Sequence, residues 1–353
     1  MATILYLIRH AEAEGNLFRR INGQYDSKIT YLGYKQIEAL VEKLKHIHID
    51  TIYSSDLIRA ITTANSVGKY KGLRVNTTKN LREISVGCWE NKLWGNLMKD
   101  CPEQYENFKK NLNSFNVEGA ESVQQMIHRF HKKIQYIVSE NRDKHIAVFS
   151  HGTVIKCYLS YIMNVPLEKI DTVLPVSDNT SITKIVIKKE RYEVEYVNDA
   201  SHLSSDISTT AKQLIWRKEH KDSNGLYIIH LSEKETNDFI CELNSSDICP
   251  IHISKSSHFI CFKAFMRDEE VGFILNSKDE VNNCGIINFI YMKPEYRKRR
   301  NGVQLIGESV SYFRKCQCRI ISINILDNSS RNFFVKAGFI MDSGNCFKMK
   351  YIL

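Results

Sequence analysis

Five apolar residues in succession, Ile4-Leu5-Tyr6-Leu7-Ile8, give way without transition to Arg9 and His10. A run this short and uniform has no face to show to water, so it fits a strand covered on both sides, the kind found in sheets flanked by helices. That restricts the opening half of the chain to an open α/β sheet, where ligands bind at the carboxyl ends of the strands. One strand-terminal Arg-His pair is compatible with a purely structural role. The pattern, however, returns twice. Asp50 to Ser55 reads as a strand that runs into Asp56-Leu57-Ile58-Arg59-Ala60 at the start of a helix. His145 to Ser150 reads as a third strand, followed by His151-Gly152-Thr153 and a helix over Val154–Met163.

Three strand ends thus deliver Arg9, His10, Arg59 and His151. Arg59 in a first helical turn opposes the helix dipole unless an anion is bound there. Arginine forks match phosphate oxygens in bidentate fashion, and free N–H groups at a helix start add donors. A neutral imidazole in such a pocket can attack phosphorus. The reaction also needs an acid for the departing oxygen, and Glu83 in Leu81-Arg82-Glu83-Ile84 is the candidate. Apolar neighbours and partial burial are expected to raise its pKa.

At 353 residues the chain suits two domains, and 43% apolar with 25% charged residues supports real cores in both. No basic region precedes the first apolar run and no run reaches spanning length, so neither a signal peptide nor a membrane span is expected. Ten scattered cysteines fit a reduced cytoplasm, and only Cys316 and Cys318 lie close together, so no zinc site is expected. The net charge of +9 divides as +5 over residues 1–203 (28 basic, 23 acidic) and +4 over the rest (21 and 17). A charge spread so evenly fits a solvated surface that attracts small anions, not a nucleic-acid interface.

Residues 1–203 resemble the histidine phosphatase superfamily in its phosphoglycerate mutase-like branch. The resemblance rests on Arg9-His10 with Glu12 and Asn16, Gly23 to Asp26 with Thr30 and Gly33, and Ser54 to Leu57 with Arg59-Ala60 and Thr63-Ala64. It continues through Leu81, Glu83, Gly87, Trp89 and Glu90, then Gly119, Glu121 and Ser122, then Ser150-His151-Gly152, Asn179 to Ser181 and Asn198 to Leu203. The resemblance implies a three-layer α/β/α sheet domain. It also implies His10 as a nucleophile forming a phosphohistidine, with Arg9, Arg59 and His151 holding the phosphoryl oxygens and Asn16 assisting. Glu83 would be the proton donor, and no metal is implied. Ala11 stands where the family usually has glycine, which matters only if that backbone needs a positive φ. The short segment from Glu83 to Gly119 favours the phosphatase branch over the mutases, which remain an alternative.

Ser204 to Thr210 is polar and reads as a linker between domains of residues 1–203 and 211–353. Beyond it, Ser232-Glu233-Lys234-Glu235 offers a helix cap, Phe259–Met266 and Glu270–Asn276 read as a hairpin, and Gly285–Met292 reads as a strand. Ser254-Lys255-Ser256-Ser257 carries no signature. The strand ending at Met292 enters the basic loop Arg297-Lys298-Arg299-Arg300, then Asn301-Gly302-Val303 at a helix start. Cations and backbone N–H groups would converge there on a pyrophosphate.

With Asn328, Arg331 and Lys336 to Phe339, this stretch resembles the GNAT superfamily of acyl-CoA-dependent N-acyltransferases. The resemblance implies an α/β domain with a mixed, mostly antiparallel sheet that binds acetyl-CoA and an amine acceptor. Met292, Arg297 to Val303 and Asn328 would be the cofactor-binding residues. Arg300 replaces the loop's first glycine, and Phe334 replaces a tyrosine that would protonate the departing thiolate. The expectation is a cytoplasmic bifunctional enzyme acting on a phosphorylated small molecule and an amine; the alternative is a phosphatase with a non-catalytic acyl-CoA-binding domain.

Overall fold

In the computed structural model the described residues are 2–189, 191–219, 225–246, 258–325 and 327–353. The chain divides into two compact units. The first holds Met1–Asn16, Arg20–Lys92 and Asp100–Glu219; the second holds Leu17–Arg19, Leu93–Lys99 and His220–Leu353.

The first unit is built on a six-stranded sheet: β1 (Thr3–Arg9), β2 (Thr51–Ser55), β3 (Val75–Thr78), β4 (His145–Ser150), β5 (Ile182–Lys188) and β6 (Arg191–Asp199), in the order β3-β2-β4-β1-β5-β6. Strands β3, β2, β4 and β1 run parallel, and β5 and β6 close the sheet antiparallel. The uniform apolar runs lie where the sequence puts them, at the centre. Leu5, Leu7, Ile8, Ile146, Val148 and Phe149 are at most 1% exposed, with helices supplying the cover. Register aligns Arg9 with Ser150 across the β1/β4 pair, so both chains leave the sheet together, one into His10 and the other into His151.

The helix Tyr31–Leu44 is capped by Thr30, whose side chain accepts the Gly33 N–H at 3.0 Å. Gly33 is required there: a Cβ would stand 2.2 Å from the Glu12 carbonyl oxygen, so the helix packs backbone-to-backbone against the loop following His10. The long helix Val123–Glu140 opens with a reciprocal capping box between Ser122 and Gln125.

Residues 204–210 do not form a free linker. They fold onto the first unit, and the helix that follows, Thr209–Glu219, belongs to it as well. The reason is buried polar pairing: Asp178 accepts the Thr209 and Thr210 N–H groups, and the Gln36 side chain reaches the Ile207 carbonyl.

The second unit carries a seven-stranded sheet: β7 (Tyr227–His230), β8 (Phe259–Met266), β9 (Glu269–Asp279), β10 (Cys284–Met292), β11 (Ile320–Asn324), β12 (Ile340–Asp342) and β13 (Asn345–Ile352). The order is β12-β13-β11-β10-β9-β8-β7, antiparallel throughout except for β10 with β11. The expected hairpin is β8–β9, with Arg267 in the left-handed region at its turn. The expected cap at Ser232 is a full capping box with Glu235 on the helix Glu233–Asn244. Ser254 to Ser257 lies outside the described residues.

Candidate active site

His10 follows the last residue of β1 and is 4% exposed. Its Nδ1 lies 2.7 Å from the Ala11 carbonyl oxygen, which can only accept, so the neutral ring carries its proton on Nδ1 and presents a bare lone pair at Nε2. Burial, then Arg59 and Arg9, holds its pKa well below the ordinary histidine value, so the free base persists at neutral pH. His151 sits 5.2 Å away, ring centroid to centroid, wholly buried, with Nε2 2.9 Å from the Ser55 hydroxyl. Burial, then Arg59 and His10, holds it neutral as well.

The two arginines are fixed by main-chain carbonyls, not by carboxylates. Arg59, 1% exposed, donates to the Tyr25 carbonyl at 2.8 Å and the Gly23 carbonyl at 2.6 Å. Arg9 donates to the Ser177 carbonyl. Burial lowers Arg59 to about 10, offset by Glu83, Asp26 and Glu90; burial lowers Arg9, offset by Asp178 and Glu83. Both keep their charge at neutral pH. The Nε of Arg9, the Nε of Arg59 and the Nδ1 of His151 are buried and carry no hydrogen bond. Buried donors in native proteins are normally paired, so three orphans around one neutral imidazole describe a receptor for an oxyanion. Gly152 makes room for the Arg9 guanidinium: a Cβ there would stand 3.2 Å from Arg9 Nε.

Glu83 is part-buried beside the buried Ile84 and Val154, as expected, and main-chain amides hold it there. Its carboxylate accepts the Thr153 and Val154 N–H groups at 2.9 Å each and the Ile84 N–H at 3.0 Å. The first-turn amides of the helix Gly152–Ile162, expected to greet a phosphate, therefore hold this carboxylate beside His151 instead. Asn16 uses its Oδ1 to accept the Ala13 N–H at 3.1 Å, which braces the loop after His10 and leaves its NH₂ as the remaining donor. Ala11 has no positive φ, so the backbone tolerates alanine in place of the expected glycine.

Two supports have partners that the sequence did not disclose, although Asn179 to Ser181 were among the residues carrying the resemblance. Arg129 clamps the segment that carries Glu83, donating to the carbonyls of Asn80, Arg82 and Glu83 and pairing through Nε and Nη2 with the two oxygens of Glu121. The loop 178–181 grips the end of β1: Asn179 Nδ2 donates to the His10 carbonyl at 2.8 Å and the Thr180 N–H to the Arg9 carbonyl at 3.1 Å. An Arg-x-x-x pattern inside an amphipathic helix, or an Asp-Asn pair before a strand, carries no signal of partners so distant in sequence.

In the second unit, Met292 ends β10 and is buried, and the Arg297 Nε donates to its carbonyl at 2.7 Å while the guanidinium lies 5.6 Å from the Tyr291 ring centre. Lys298 and Arg300 both adopt left-handed backbone, φ 59° and 58°, the conformation glycine takes most easily. Arg300 thus keeps the expected glycine's geometry with a side chain added. Arg299 is exposed and Asn301, 1% exposed, donates from Nδ2 to the Tyr296 carbonyl, just before Gly302 and Val303 open a helix running to Lys315.

Strand β10 pairs with β11 only through Ile287 yet stays with β9 to Met292, with an irregularity between Ile287 and Phe289. The two parallel strands therefore part at the end where the basic loop begins. Asn328 opens the helix Asn328–Lys336, whose Phe333 would lie 3.1 Å from a Cβ on Gly302. Phe334, 3% exposed, packs against Phe333 and Phe339 as core.

Comparison with known proteins agrees with both halves. Residues 5–200 match the model of the histidine phosphatase superfamily (branch 1), and residues 223–339 that of the acetyltransferase (GNAT) family. Phosphoserine phosphatase 1 of Hydrogenobacter thermophilus is 28% identical over 199 residues, covering 56% of this chain and 93% of its own. The probable phosphoglycerate mutase GpmB of Yersinia pestis is 32% identical over 167 residues, covering 46% and 75%. Among solved structures, Bacillus stearothermophilus YhfR superposes with a TM-score of 0.56 at 28% identity, covering 57% of this chain and all of that one. An Entamoeba histolytica phosphoserine phosphatase mutant bound to phosphoserine superposes with a TM-score of 0.50 at 26% identity, with the same coverages. The first unit has the phosphoglycerate mutase-like fold and the second the GNAT fold. The chain thus belongs to the histidine phosphatase superfamily, with a GNAT acetyltransferase domain following.

Proposed function

We propose that the chain is a bifunctional enzyme in which the first domain hydrolyses a small phosphomonoester through a phosphohistidine at His10, without a metal. The observation that carries this is the bare Nε2 of a buried neutral imidazole surrounded by three unpaired buried N–H donors. Nε2 attacks phosphorus and the P–O ester bond breaks, with Glu83 passing a proton to the departing oxygen. Arg9, Arg59 and His151 hold the nonbridging oxygens, and Asn16 offers its NH₂. Ser55 donating its hydroxyl proton to His151 Nε2 is the arrangement that leaves Nδ1 as a donor to phosphate. Water then attacks phosphorus while Glu83 takes its proton, and the P–N bond breaks, releasing inorganic phosphate and restoring His10. The relatives named as phosphoserine phosphatases support a small phosphate ester as substrate.

The test is rapid acid-free quenching of the full-length protein during turnover of a radiolabelled ester, followed by peptide mapping. Label stable to alkali, labile to acid and confined to the peptide holding His10 is expected. Label on serine or aspartate, or none during a demonstrated burst, removes His10 from the mechanism.

For the second domain, the parted β10 and β11 strands with the 297–303 loop at their open end support acetyl-CoA as ligand, its pyrophosphate on the loop and helix start. Met292, Arg297 to Val303 and Asn328 would line it. An amine attacks the thioester carbonyl, the C–S bond breaks, and the thiolate takes its proton from a group other than Phe334, which is buried and has none to give. Saturating acetyl-CoA is expected to raise this domain's melting temperature by about 5–10 °C, as a ligand at a hundred times its Kd stabilises by about 2.7 kcal/mol. No shift would leave the domain a degenerate module. Turnover with an amine panel separates an enzyme from an acyl-CoA sensor. A place in the cytoplasm accords with this chemistry; among the described residues, no helix is long and apolar enough to cross a membrane.

A further inference from the structure

The histidine phosphatase match ends at residue 200 and the acetyltransferase match begins at 223. The residues between fall to neither family, yet one of them is tied to the phosphatase centre from three directions. Thr209 is 3% exposed. Its hydroxyl donates to Glu12 Oε2 at 3.3 Å and accepts from Gln36 Nε2 at 2.9 Å, and its N–H donates to Asp178 Oδ1 at 3.1 Å.

Each of those partners is fastened to the reacting strand end. Glu12 lies two residues beyond His10, and its own N–H donates to Gln36 Oε1 at 2.7 Å. Gln36 is fully buried and also donates to the Ile207 carbonyl. Asp178 accepts the Asn179 N–H at 2.8 Å, and Asn179 holds the His10 carbonyl.

The electrostatics point the same way. Asp178 is 5% exposed and close enough to Arg9 to raise its pKa, so its negative charge stands behind an anion pocket, where it would oppose a phosphate. Ser208 Oγ and the N–H groups of Thr209 and Thr210, at the start of the eleven-residue helix Thr209–Glu219, all point at that carboxylate. Donors and helix dipole together spread the charge away from the pocket. Thr209 is the residue where this arrangement and the Glu12–Gln36 brace meet.

We propose that Thr209 is a positioning residue of the phosphatase site, fixing the loop after His10 through Glu12 and Gln36 and the Arg9–His10 carbonyl grip through Asp178. This rests on the reading of His10 as the group that handles phosphate.

The experiment uses the full chain with four variants: Thr209→Val, which keeps shape and loses both hydroxyl bonds; Thr209→Ser, which restores them; Ser208→Ala, which removes one Asp178 partner; and His10→Ala as the floor. Hydrolysis of a small phosphate ester and inhibition by inorganic phosphate are measured, with circular dichroism confirming the fold. Misplacing a reacting group by a fraction of an ångström is costly, so Thr209→Val is expected to lose roughly tenfold in kcat, with KM changing less. Thr209→Ser should recover most of that, and Ser208→Ala should bind inorganic phosphate more weakly. Should Thr209→Val fail to fold, Ser208→Ala and Thr209→Ser carry the comparison. Thr209→Val with wild-type kcat, or a loss that serine does not rescue, overturns the proposal, as does Ser208→Ala with unaltered phosphate inhibition when valine has not folded. A wild-type rate no higher than that of His10→Ala fells the underlying reading instead, and the two failures are told apart on one plate.

Discussion

Alanine at position 10 is expected to lower kcat for phosphate-ester hydrolysis by roughly 10⁴-fold to 10⁶-fold, with the fold intact. Losing the nucleophile of a covalent mechanism leaves only binding and oxyanion stabilisation, as in other enzymes whose central nucleophile is removed. The side chain is buried but not a packing keystone, since its ring lies tilted against His151 and its Nδ1 is spent on a local carbonyl. The charges that make His10 reactive also shape its pH dependence. Burial, Arg59 and Arg9 all favour the unprotonated ring, so the acid limb of kcat/KM, which reports the free enzyme, belongs below pH 6.5, not at it. Weakening Arg59 by substitution with methionine removes one of those charges and should move the limb upward, towards the ordinary histidine value. Steady-state rates across pH 4 to 8 in non-phosphate buffers measure both. A residual rate within tenfold of the unaltered protein, or an acid limb above 6.5, removes His10 from the chemistry.

Glutamine in place of Glu83 should divide substrates by the basicity of what leaves. An alkyl alcohol departs as a strong base and needs a proton in the transition state, whereas a nitrophenolate departs without help. The expected loss is roughly 10³-fold for an alkyl phosphate and under tenfold for nitrophenyl phosphate. Glutamine retains one oxygen, so it can keep part of the amide cradle offered by Thr153, Val154 and Ile84. The position of the side chain is thus largely preserved while its proton is withdrawn. Equal losses on both esters would show that the residue places phosphate and transfers no proton.

What the sequence disclosed and what it withheld divide along one physical line. A buried parallel strand advertises itself through an unbroken apolar run, and the residue that follows it emerges at a known edge of the sheet. Arg9, His10 and His151 were legible on that basis, and Arg59 by its odd place in a first helical turn. The Ser232 cap and the β8–β9 hairpin are likewise written in neighbouring residues. Long-range polar pairing leaves no such trace. Ser55 and His151 meet across 96 positions, and Arg129 reaches the Glu83 carbonyl across 46. The same blindness misassigned Ser204 to Thr210: small polar residues look like a linker unless it is known that Asp178 and Gln36 await them. It also hid the destination of the Thr153 and Val154 amides, which periodicity leaves free and a distant carboxylate claims.

The left-handed backbone at Lys298 and Arg300 has a consequence for how quickly an anion can dock. Side-chain-bearing residues disfavour that conformation by about 1–2 kcal/mol each, so the surrounding fold must impose it. A glycine-built loop wanders among many shapes and must be tamed by its guest. For the proposed anion ligand, a loop whose backbone folding has already set would leave less freedom to surrender on binding.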